Sequence, residues 1–357
     1  FHPDARYEKL RLDGPVEGTT IALHRRVPAA EFGELRRRGV ETVRYWCKYA
    51  EAEIVVDGAP VAEPFDIDAA LTVRHREPGT EVVVGFAPLA RTDAGAQLRP
   101  RPLVGFYNRG LTLVEGPAAP GEPAFLAGLS LRVKSRYLEH TLTRDNVLAD
   151  ESYDKAMAIV EAQVEQRLRP ALVARLEQLA RAHGAGEAAR NADDGPSLAR
   201  CLVHAALPGM DLSRTAPQAA IIPGVDGPPR SLRELRAGEP VLCAARSTPV
   251  TRLLAGRGVP VVRDVEQAVA PYLAACGIEV RRADVVYYTA LRCDEADSDA
   301  GRALCRALLA LLARGRARVK QVHLGQLSYP GSSVEARVHV RQQQAFGLTR
   351  AGDESQP

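Results

Sequence analysis

Polar and apolar residues alternate from Arg6 to Leu12, stop at Asp13-Gly14-Pro15 and resume from Gly18 to Arg25, which predicts a β-hairpin. Past Pro28 the spacing turns helical. Phe32, Leu35, Val40, Val43 and Trp46 form a rough stripe toward Tyr49, weakened by Gly33 and Gly39. Glu53 to Val56 reads as a strand closed by a turn at Asp57-Gly58. Strands are then predicted near Ala70 to Val73, Glu81 to Phe86, Leu103 to Tyr107 and Leu111 to Val114, with Gly and Pro between them.

From Asp150 to about His183, Met157, Val160, Val164, Leu168, Leu172, Leu176 and Leu179 recur every three or four residues, the spacing of one helix face. Asp150 or Ser152 can cap its start. Pro170 lies inside the run, so a kink or break is expected near Arg169. The polar stretch Gly184 to Pro196 reads as a linker. Beyond it a βα rhythm sets in: Ala219 to Ile222, the helical RSLRELRAG, Pro240 to Ala244, Val250 to Ala255, Val259 to Val262, Val265 to Cys276 and Ile278 to Val280. Short apolar strands alternating with helices predict a small parallel sheet covered on both faces. A third piece opens at Asp284, with a helix from about Asp299 to Arg314 and two strands, Val319 to Leu324 and Val334 to Val340. The fold class is α/β or α+β.

With 357 residues, 46% apolar content and 25% charge, the chain can bury an ample core over two or three domains. Lys and Arg number 47 against 44 Asp and Glu, so there is no basic block that would demand nucleic acid. The six cysteines, Cys47, Cys201, Cys243, Cys276, Cys293 and Cys305, lie singly without metal-ligand spacing. Such thiols are expected to be reduced and mostly buried, in a cytoplasmic protein with no structural metal. No window approaches the roughly 18 apolar residues of a membrane span, and no signal peptide is read. The chain starts at Phe1 rather than a methionine, so it is expected to be part of a longer protein.

Candidate chemistry is sparse. No GxxxxGK[ST] or strand-linked GxGxxG occurs, which excludes a P-loop or a dinucleotide fingerprint. Ser247 and Ser332 lack the GxSxG elbow, and the eight histidines are scattered, with only His323 and His339 able to face each other across the last two strands. Arg36-Arg37-Arg38 is a basic triplet near a helix end. The most informative stretch runs from FYNRG (Phe106 to Gly110) through LTLVEG (Leu111 to Gly116) to SRYLEHTLTRDNVL (Ser135 to Leu148). An aromatic strand and a short partner lead to a polar loop that presents Arg144 just before the long helix. A guanidinium there suits a phosphate held outside its own domain; the alternative is a local pair with Asp145.

Taken together these pieces resemble the heat-shock protein 90 chaperone family, in the family's order. GTTIALHR at Gly18 is similar to the Gly-Thr-x-Ile-x-Leu-His strand that ends the family's ATPase domain, and VETVRYWCKYAEAEIVVDG from Val40 to its lead into the middle domain. The Phe106 to Leu148 stretch resembles the transducer segment, with Arg144 on the arginine that contacts the γ-phosphate of ATP. RSLRELRAGEPVLCAARS, Arg230 to Ser247, is similar to the small αβα subdomain, and ARVKQVHLGQLSYPGSSVEARVHV to the C-terminal hairpin.

The resemblance implies a ribosomal protein S5 domain 2-like middle domain, a small αβα subdomain, and a C-terminal helix plus β-hairpin. It divides the chain into 1–27, the last strands of an ATPase domain; 28–190, middle domain; 191–283, αβα subdomain; 284–345, partial C-terminal domain; and 346–357, a disordered tail. It implies an ATP-dependent stress-response chaperone, in which Arg144 is catalytic and Arg144, Thr143 and Asn146 face ATP with Mg held by the N-terminal ATPase domain. Partly folded client proteins would be the partners, with self-association into a dimer, no nucleic acid and no membrane. The Phe32 to Tyr49 helix and the Phe106 to Leu113 strands are the candidate client surface, although most of these residues read as core.

Two departures stand out. Leu148 replaces the family's glutamine four places after the arginine, and the ATP-binding motifs are absent, so the chain alone is expected to hydrolyse no ATP. A transducer of a non-chaperone ATPase of the same wider GHKL superfamily, in DNA repair or antiphage defence, and an adaptor without ATPase are the alternatives.

Overall fold

The computed structural model describes residues 18, 26–91, 98–118, 123–142, 146–184, 196–236, 240–283, 287–292, 298–315, 322, 324–328 and 348–350. The hairpin expected over residues 6–25 lies outside them, apart from Gly18.

Helix α1 (Ala29–Cys47) opens after Pro28, whose fixed φ suits a helix start. It has no buried residue, and Phe32 and Trp46 stand in solvent, so the stripe read along it is not core. Strands β1 (Val55–Val56) and β2 (Ala59–Pro60) pair around Asp57 and Gly58, both at positive φ (51° and 80°), the turn that the Asp-Gly pair predicted.

The main sheet contains β3 (Ala70–Glu77), β4 (Thr80–Phe86), β7 (Leu103–Asn108), β8 (Leu111–Pro117) and β9 (Leu129–Ser135), in the order β3-β4-β9-β7-β8. The ribbon β5 (Leu89–Arg91) and β6 (Leu98–Pro100) branches off beside it. β9 was not read as a strand from the sequence, yet it is the centre of the sheet. It runs antiparallel to β4 and parallel to β7. Its alternation of Leu129, Leu131 and Val133 with Ser130, Arg132 and Lys134 was the available signal. The first set joins Val82, Val84, Phe86, Val104 and Phe106 in the main core.

That core is covered by one long helical run. Asp150 caps α2 (Glu151–Gln163) by accepting the Tyr153 N–H at 2.9 Å. Val164–Leu168 then form a π-helical turn before α3 (Arg169–Gly184). Pro170 has no N–H to give and crowds the preceding turn, and the wider turn absorbs the mismatch where a break was expected. Val160, Val164, Leu168, Leu172 and Leu176 are fully buried.

The same core continues through α4 (Leu198–Ala205) into the next layer, past the short α5 (Leu212–Thr215) and α6 (Leu232–Arg236). Ala219 to Ile222 makes no strand, only a single bridge from Ile222 to Arg230. The parallel sheet is present: β10 (Val241–Ala244) lies between β11 (Val261–Arg263) and β12 (Val280–Arg282). Leu242 packs in a small cluster with Val250 and Leu254 of α7 (Pro249–Gly256). Val241 and Cys243 join the main core with Val269 and Leu273 of α8 (Val269–Ala275). Alternate residues thus place the helices on opposite faces, as predicted.

In the last piece, β13 (Tyr287–Arg292) pairs antiparallel with β14 (Gly325–Ser328) and β15 (Leu348–Arg350), and α9 (Asp299–Arg314) matches its predicted span. The described partner strand spans 325–328; the strand expected over 319–324 lies outside the described residues apart from 322 and 324, and 348–350 pairs although 346–357 was expected to be a disordered tail. Residues 334–340 lie outside the described set. No helix among the described residues is long and apolar enough to cross a membrane.

Candidate functional site

At the end of β9 the chain turns through Arg136 and Tyr137 and drives the Leu138 side chain into full burial. From there residues 139–142 and 146–148 run antiparallel. The Leu148 N–H donates to the Glu139 carbonyl at 2.7 Å, His140 bridges Val147, and the Thr141 N–H donates to the Asn146 carbonyl at 3.0 Å. Asp150 then starts α2, and the Tyr153 ring lies 5.3 Å from that of Phe106. Asn108, the last residue of β7, donates from Nδ2 to the Leu138 carbonyl at 2.5 Å. The strand–loop–helix order read around this stretch is therefore present on its described flanks.

Thr143, Arg144 and Asp145 lie outside the described residues. Asn146, expected to face nucleotide, is described: its Oδ1 accepts the Val147 N–H at 2.8 Å, so that oxygen stiffens its own turn. Leu148 is half exposed. Of the Phe106 to Leu113 strands proposed as client surface, Phe106, Tyr107 and Leu113 are buried and Leu111 is the one largely exposed apolar residue, so most of that surface is core.

The other face of the main sheet carries charge. Arg132 and Lys134 of β9, Glu81 of β4, Tyr107 of β7 and Glu115 of β8 lie beneath residues 48–67, which cross it like a strap. Glu115 sits 2.7 Å from Lys48 Nζ and 2.9 Å from Arg132 Nη2, all three side chains being largely buried. Burial pushes the Glu115 carboxyl up, but the hydrogen bonds from Lys48 and Arg132 outweigh it and hold the pKa below the ordinary glutamate value. Arg132 also donates to the Asp66 carbonyl of the strap, and Lys134 pairs with Glu81 at 2.8 Å. Tyr49, Phe65 and Tyr107 meet edge to face with centroids 5.0 to 5.7 Å apart. The Tyr107 ring lies over Gly105, where a side chain would collide with it. Burial raises both phenols, Tyr49 to about 12.

Sequence reading missed Asn108, Lys48, Glu115 and Arg132. None of them stands in a recognisable motif, and only the strand order and register of the sheet bring Glu115 and Arg132 within reach of Lys48. The basic triplet is neutralised locally: Arg36 pairs with Asp57, Arg37 with Glu34 and Glu41, and Arg38 with Glu34. His323 and His339 lie outside the described residues. Among those described, no group of three or more His, Cys, Asp or Glu could hold a metal ion. Cys201 and Cys243 are buried, and Cys47, Cys276 and Cys305 half-buried, none of these five in a disulfide.

In comparisons with known proteins no family model matches the chain, and no curated protein matches it.

Proposed function

We propose that this chain is the transducer part of an ATP-dependent chaperone of the heat-shock protein 90 type, in which Arg144 acts on ATP held by a neighbouring ATPase module. The observation that carries the reading is the anchoring of the flanks of residues 143–145. Leu138 is fully buried on one side, the Asp150-capped helix starts on the other, and the two flanks hydrogen-bond to each other between them. Flanks held in this way suit a residue between them that must meet a phosphate in one pose.

In phosphoryl transfer negative charge spreads over the oxygens of the departing group. A planar, permanently charged guanidinium brought to them from outside the pocket lowers the cost of that charge. The metal that accompanies ATP would be held by the ATPase module together with the nucleotide. The exposed Phe32, Leu35, Tyr45 and Trp46 of α1 are the candidate contacts for partly folded clients, since most of the β7–β8 strands are core.

The test is ATP turnover by the protein carrying both modules. Arg144→Ala is expected to reduce kcat by on the order of a thousandfold or more, as removal of an arginine finger does. Turnover that stays within about twofold of wild type would end this reading.

A further inference from the structure

We draw no further inference here: the strongest candidate, the exposed apolar face that helix α1 presents through Phe32, Leu35, Tyr45 and Trp46, carries nothing beyond the reading above because nothing in the structure shows what covers it.

Discussion

Lys48, one residue past the end of α1, reaches 2.7 Å from Glu115 near the end of β8, and Arg132 of β9 holds the other oxygen of the same carboxylate at 2.9 Å. One anion on β8 thus joins the strap to β9, two strands away across β7. Taking three charges out of water is costly, and their attraction offsets that cost only while the set is complete. Glu115→Ala is expected to destabilise the protein by about 3 to 5 kcal/mol, because it leaves two cations buried without their partner. Urea denaturation would measure it. A loss below about 1 kcal/mol would mean that the set is open to water.

The same carboxylate predicts a response to acid. Its pKa lies below the ordinary value in the folded state, so it adds stability that is fully present above the unfolded value near 4.3 and is lost as pH falls through the folded value. His204 acts at higher pH. It is buried against Phe86, with ring centroids 4.7 Å apart, and burial holds its pKa at about 4 instead of 6.5. Between those values the unfolded chain binds the proton and the folded chain does not, so stability falls as pH drops from 6.5 to 4. The loss is on the order of 3 kcal/mol. Thermal melting across this range should show the decline, and His204→Phe should flatten it. An unchanged slope in that variant would place the acid sensitivity elsewhere.

Gly110 tests the turn beneath the candidate site. Its positive φ disfavours any side chain, and a Cβ would overlap the Tyr49 carbonyl. Gly110→Ala is expected to cost at least about 2 kcal/mol. The loss should appear as weakened amide protection over the strap as well as a lower midpoint. An alanine tolerated within about 0.5 kcal/mol would show that the strap is free to shift outward.

The long helix, its Asp150 cap, the disturbance near Pro170, the Asp57-Gly58 turn and the parallel β10–β12 sheet were legible because each depends on spacing within a short stretch. The core-facing apolar periods and the capping carboxylate need no distant partner to be recognised. β9 was legible too, in its strict alternation, but the polar loop after it drew the reading away. α1 shows the opposite failure: its apolar stripe has helical spacing, yet Val40 and Val43 are only half-buried and Phe32 and Trp46 stand exposed, so periodicity alone could not tell a buried face from an exposed one.

The sequence by itself determined the long helix with its Asp150 cap, most strands of the main sheet and the parallel β10–β12 sheet. Tertiary structure alone decided that the central strand is β9, that Glu115 meets both Lys48 and Arg132, and that Asn108 reaches Leu138. These partners lie 17 to 67 positions apart in sequence. Local propensity acts over a few residues, whereas such contacts follow from strand order and register, which are fixed only when the whole core closes.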